Sequence, residues 1–158
     1  MRHTVGIADI QVSADPEDEF ITHALGSCLG VSIHDPVSQV GGLIHIMLPN
    51  SNIDREKAQK NPYMFVDTGI PDLFKKAYNL GATKGNISVK VAGGSNILDP
   101  RGQFKIGERN YAMLRKIFWK NNVLIDSEDV GGSESRTMVL EMGSGRVTVR
   151  SNGETKEL

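Results

Sequence analysis

The sequence predicts an α+β fold, and three observations carry that prediction. Most apolar segments are short, rich in β-branched residues or alternating. Several of them sit next to one another across turn signals. Only two stretches carry the i, i+3, i+4 spacing of an amphipathic helix. A doubly wound parallel sheet would instead alternate strands with helices throughout.

In order, residues 4–12 alternate loosely at Val5, Ile7, Ile10 and Val12 and read as a first strand, followed by an acidic turn over 14–19. Residues 20–25 are a short strand leading into Gly26-Ser27-Cys28. Two strand-like runs, 29–34 and 40–48, flank Asp35-Pro36-Val37-Ser38. Asp at the first turn position and Pro at the second is the type I signature. The second run is apolar on both faces (Leu43 and Met47; Ile44, Ile46 and Leu48), as for a strand buried on both sides. Residues 49–62 are polar and read as a surface loop. Ile70, Leu73, Phe74, Ala77 and Tyr78 mark a helix, with Thr68 as N-cap, Pro71 in the first turn and Gly81 at its end. Residues 86–92 form a strand running into Gly93-Gly94-Ser95-Asn96. A loop then leads to a second helix entered at residues 106–110, with its stripe at Tyr111, Leu114, Ile117 and Phe118. Residues 123–125 read as a short strand, 136–142 and 146–150 as a hairpin, and the last residues as a frayed tail.

A chain of 158 residues is expected to form one domain over 1–158. The formal net charge is −1 and the basic residues are dispersed, which argues against a nucleic-acid partner held through phosphates. No run approaches transmembrane length and no leader pattern opens the chain, so no membrane insertion is expected. A single cysteine cannot form an internal disulfide, in keeping with a reducing compartment. The expected localisation is cytoplasmic.

That cysteine organises the functional reading. A turn centred on Pro36 and Val37 places Asp35 opposite Ser38; counting back along both strands then sets Cys28 opposite His45. Directly opposed residues share a face with Cβ atoms about 4.5–5.5 Å apart, close enough for proton exchange. A free thiol is only a few per cent thiolate at pH 7, and roughly 2 kcal/mol would ionise it. A neighbouring imidazolium can supply that. Thr22 is the third candidate, since a cysteine–histidine pair needs a group to orient the ring. By itself, each also has a plain structural explanation: a buried filler cysteine, a satisfied core histidine, a β-branched strand residue. Metal binding is the chemical rival, with His23, His34 and His45 at equal spacing around Cys28, but no CxxC or HExxH pattern is present.

Leu25-Gly26-Ser27-Cys28-Leu29-Gly30-Val31 with Thr22 upstream, Asp35-Pro36 and His45-x-x-Leu48-Pro49 resemble the bacterial chemoreceptor glutamine deamidase family, CheD. Tyr63-x-x-x-Asp67-x-Gly69-Ile70, Gly93-Gly94-Ser95, Ile106-Gly107-x-Arg109-Asn110 and Asp129-x-Gly131-Gly132 with Arg136 extend the resemblance in order along nearly the whole chain. One departure is Ile44, where a smaller residue is expected before the histidine.

The resemblance implies packed mixed β-sheets flanked by helices, similar to cysteine hydrolases of the cytotoxic necrotizing factor type. It implies deamidation of glutamines on methyl-accepting chemotaxis receptors through a cysteine thioester, with Cys28, His45 and Thr22 as nucleophile, base and orienting group. No metal or organic cofactor is implied. The expected partners are the receptor's cytoplasmic helices and the phosphatase CheC. The alternative is a non-catalytic adaptor that docks on the receptor or the phosphatase and regulates it.

Overall fold

The computed structural model describes residues 1–97 and 101–158, so the loop expected between Asn96 and Ile106 lies partly outside the described residues. Among the described residues the strands are β1 (Arg2–Thr4), β2 (Ile10–Ser13), β3 (Glu19–Leu25), β4 (Leu29–Asp35), β5 (Val40–Ile46), β6 (Ser88–Gly93), β7 (Ser127–Val130), β8 (Arg136–Glu141), β9 (Val147–Ser151) and β10 (Glu154–Glu157). The helices are α1 (Arg55–Lys60), α2 (Val66–Asn79) and α3 (Ile106–Lys120). One sheet runs β1-β3-β8-β9-β10, the other β2-β5-β4-β6-β7. Only β1–β3 and β6–β7 pair in parallel. The architecture is α+β with mixed sheets, as the hairpin-rich sequence predicts.

Two cores produce three layers. Phe20, Leu25, Leu43, Met138, Leu140 and Val149 fill the space between the sheets. On the other face of the second sheet, Leu29, Val31, Ile33, Ile44 and Ile46 pack against Ile70, Leu73 and Phe74 of α2 and Leu114 and Phe118 of α3. This explains why β5 is apolar on both faces: each meets a different core. Ile44 faces the helices, where its Cδ1 would lie 2.8 Å from a Cβ on Gly69, and so points away from His45.

The run expected as one strand over 4–12 is divided. β1 belongs to the first sheet and β2 to the second, so the connection from Val5 to Asp9 straps one sheet to the other. The 49–62 stretch is ordered into a 3-10 turn, α1 and a second 3-10 turn, with Asn50, Asp54 and Asn61 side chains capping them in succession. Helix α2 starts at Val66. Thr68 does not cap it but donates to the Pro62 carbonyl (2.5 Å), and Pro71 falls inside the helix. The strand expected at 123–125 is displaced to β7, because Asp126 exchanges hydrogen bonds with Val89 just before the parallel pairing begins. The tail is not frayed: β10 pairs with β9 along its length.

No helix among the described residues is long and apolar enough to cross a membrane.

Candidate active site

The hairpin forms, but with a longer loop than expected. Asp35 pairs with Val40, and the partner of His45 is Gly30 rather than Cys28. A type I turn twists the wrong way to close a two-residue hairpin and is instead accommodated in a four-residue loop. Asp35 Oδ1 stabilises that loop by accepting from the Val37 and Ser38 amides (2.8 and 3.2 Å), and Gln39 leaves it at φ +59°. The register therefore moves by two residues. A shift of two preserves the parity of the faces, and Cys28, just before the first paired residue Leu29, still packs toward the inter-sheet core on the side of His45.

That face looks into the space between the sheets, and Thr22 reaches it from the opposite sheet. Between Thr22 and Leu25, β3 carries one more residue than its partner β8, and Ala24 takes the left-handed conformation at φ +59°. This bulge lets both Thr22 and Leu25 point inward despite their odd spacing. Thr22 Oγ1 donates to the Val5 carbonyl (2.8 Å) and stands 2.7 Å from Nδ1 of His45. A hydroxyl has one proton. With it committed to Val5, Oγ1 must accept from Nδ1–H, which leaves Nε2 as the unprotonated nitrogen. His45 is fully buried and Nε2 has no hydrogen-bond partner. The strap also fixes the ring's backbone: His45 donates to the Asp9 carbonyl (3.1 Å), and Ala8 donates to the His45 carbonyl (2.9 Å).

Cys28 is half-buried and lines a cleft of about 550 Å3, together with Ile7, Met47, Ser95, Phe104 and Gly132. A hollow of similar size against Tyr111, Trp119 and Leu124 shares no residue with it and is lined by no cysteine or histidine. Burial pushes the Cys28 thiol above its ordinary value, a rise partly offset by its own backbone N–H. Burial also draws His45 down, to about 4. The resting site at neutral pH is thus a neutral thiol near a neutral imidazole, not the thiolate–imidazolium pair the sequence leads one to expect. The predicted mutual ionisation loses to desolvation.

The loop holding Cys28 is clamped from two sides. Gly93 (φ +112°) and Gly94 (φ +64°) fold the chain against it, so that Gly94 donates to the Cys28 carbonyl (2.9 Å) and Ser95 to the Gly26 carbonyl (2.8 Å). A Cβ on Gly93 would collide with the Cys28 carbonyl oxygen. Arg136, nearly buried, braces this turn by donating to the Gly93 and Gly131 carbonyls (3.2 and 2.8 Å) and to Asp129 (3.0 Å). From the other side, fully buried Asn110 donates to the Ser27 carbonyl (2.9 Å) and the Met47 carbonyl (3.0 Å). It thereby links the residue before Cys28 to the end of the His45 strand. Asn110 escapes a reading based on catalytic residue types. Its signal is a polar side chain four residues before Leu114, on the stripe of α3 that faces the core.

The equally spaced histidines are not gathered. His34 donates through Nε2 to the Met142 carbonyl (2.7 Å), His23 lies exposed near Thr137, and His45 is held by Thr22. No group of three potential metal ligands occurs among the described residues.

Comparison with known proteins agrees with the motif resemblance. Residues 47–151 match the family model described as CheD chemotactic sensory transduction. The chain is 54% identical to the probable chemoreceptor glutamine deamidase CheD 1 of Syntrophus aciditrophicus, over 94% of this chain and 93% of that one. It is 49% identical to the probable chemoreceptor glutamine deamidase CheD of Solibacter usitatus, over 98% and 91% of the two chains. A third relative, the probable chemoreceptor glutamine deamidase CheD 2 of Anaeromyxobacter dehalogenans, is 45% identical over 98% of each. With its motifs, the family model and near full-length relatives in agreement, the chain belongs to the CheD family.

Proposed function

We propose that residues 1–158 form one protein-glutamine deamidase domain, acting at the cytoplasmic part of methyl-accepting chemotaxis receptors through a Cys28 thioester. The observation that carries the reading is the tautomer fixed by Thr22. It leaves an unprotonated, unpartnered Nε2 buried between the sheets, in the same inter-sheet core against which Cys28, a residue of the cleft wall, is packed.

As the glutamine carboxamide enters, His45 Nε2 takes the Cys28 thiol proton while sulfur bonds to the carbonyl carbon. The tetrahedral intermediate collapses as Nε2–H passes the proton to the departing nitrogen, and the C–N bond breaks to give ammonia and a thioester. Neutral His45 then takes a proton from water, hydroxide adds to the carbonyl, and the C–S bond breaks. The sulfur recovers a proton, and glutamate is released. Throughout, the Thr22 hydroxyl accepts from Nδ1–H and stabilises the transient imidazolium. The Gly26 N–H is committed to the Ala24 carbonyl (3.0 Å) and so is no oxyanion donor. This leaves the Ser27 and Cys28 amides as backbone donors in that segment. Ile7, Ile97 and Phe104 are exposed apolar side chains around the cleft, suited to the apolar stripe of a receptor helix.

Regulation through the phosphatase CheC belongs to the same proposal. The test is mass spectrometry of a receptor cytoplasmic fragment incubated with wild type and Cys28→Ala. Wild type should add about one dalton per converted glutamine. Activity retained by Cys28→Ala would reject the thioester mechanism. A mutant that is inactive yet still stimulates the phosphatase would make adaptor binding a separate function of the same chain.

A further inference from the structure

We propose that the hydroxyl of Ser95 binds the oxygen of the substrate's carboxamide and stabilises the oxyanion that forms when Cys28 attacks; this rests on the deamidase reading above. Ser95 is 1% exposed, yet its Oγ has no hydrogen-bond partner. An unmet buried hydroxyl is destabilising by about 1–3 kcal/mol, so its retention calls for a partner that the free protein lacks. Ser95 lines the same cleft as Cys28. Its Oγ faces the nucleophile's own loop, 4.0 Å from where a Cβ on Gly26 would stand.

The backbone that carries the hydroxyl is also preorganised. Two backbone hydrogen bonds, Ser95 to the Gly26 carbonyl and Gly94 to the Cys28 carbonyl, fix residue 95 relative to residue 28. On its far side the Gly94–Ser95 peptide abuts the first turn of α3 so closely that a Cβ on Gly107 would come within 2.5 Å of the Ser95 carbonyl oxygen. A donor held in place before the reaction needs no reorganisation as charge develops, which is what makes such groups effective. Since the Gly26 amide is already spent, a side-chain hydroxyl supplements the amides that remain. The ligand class is a primary carboxamide: its oxygen accepts from Ser95 while its nitrogen is left free to depart.

The experiment compares wild type, Ser95→Ala and Ser95→Cys for ammonia release from a receptor fragment. Cys28 alkylation by N-ethylmaleimide and the melting temperature are measured in parallel. Ser95→Ala should lower kcat by about 100-fold with KM changed less than about threefold, and Ser95→Cys, a weaker donor, should fall between. Alkylation should be unchanged, and the melting temperature unchanged or higher, because an unmet polar group has been removed. Full activity in Ser95→Ala overturns the assignment while leaving the deamidase intact. Parallel loss of activity, alkylation and melting temperature overturns it in favour of a structural role. Absence of ammonia release from wild type itself overturns the deamidase reading, and this proposal with it.

Discussion

Thr22 Oγ1 stands 2.7 Å from Nδ1 of His45 although the two residues belong to different sheets. The contact selects a tautomer rather than merely filling space, because the threonine proton is already given to Val5. Thr22→Val keeps the shape but removes the acceptor for Nδ1–H and the donor for Val5. Ammonia-release assays should find kcat lower by about 100-fold, with Thr22→Ser restoring most of it. Equal activity in Thr22→Val and wild type would dismiss the orienting role.

The ionisation state of Cys28 can be read from its reactivity. Cys28 lies above its ordinary value and His45 is down at about 4, both through burial. Iodoacetamide inactivation should therefore keep rising with pH beyond neutrality, following the thiol. A preformed ion pair would instead give a plateau across the acid and neutral range. Such a plateau would restore the thiolate–imidazolium pair as the resting state.

His45 also makes stability depend on pH. Its folded value of about 4 lies below the unfolded 6.5, so the unfolded chain binds the proton more readily. The stability is intact above 6.5 and is lost as pH falls through that window to about 4, by roughly 3 kcal/mol at 1.36 kcal/mol per pH unit. Denaturant titrations of wild type and His45→Gln at pH 7.5 and 4.5 should differ in this acid sensitivity, the variant losing less. Identical slopes would mean that His45 takes no part.

Asn110 offers a separate test of how the loop is held. Asn110→Leu fills similar volume but leaves the Ser27 and Met47 carbonyls without their donor. Each unmet acceptor destabilises by about 1–3 kcal/mol, so the melting temperature should drop. At temperatures where the variant is fully folded, kcat should still be reduced by about tenfold or more, through displacement of Cys28 relative to His45. A stability loss with unaltered kcat would limit Asn110 to a structural role.

How far these features could be read from residues alone depends on the range of the interaction. Local chemistry was legible: the Asp35-Pro36 turn, the faces of β4 and β5, and the helical stripes appear where short-range patterns place them, apart from Tyr78, which is exposed. The two-residue error in hairpin register arose because Pro36 specifies a turn type, whereas the twist of the flanking strands decides loop length. The break between β1 and β2 leaves one trace, the change of phase from Val5 and Ile7 to Ile10 and Val12, but only the stacking of two sheets assigns the two pieces to different sheets. Thr22 could be named by family resemblance and follows Phe20 by regular alternation, but the bulge at Ala24, which turns Leu25 to the same face, is announced by no local pattern. Asn110 and Arg136 act on backbone carbonyls far away in sequence, and a carbonyl carries no residue type to recognise. The ionisation of Cys28 and His45 followed burial, which depends on the completed fold.

The relay drawn from β3 and β5 has a consequence for how activity arises during folding. Cys28 and His45 approach one another within a single hairpin, which a partly collapsed chain can form early. Thr22 arrives only with the opposite sheet, so in a hairpin formed without it nothing holds the His45 proton on Nδ1. On the proposed mechanism such a species should turn over substrate poorly. Recovery of catalysis after dilution from denaturant should consequently lag behind the return of strand signal, and the size of that lag times the closure of the sandwich.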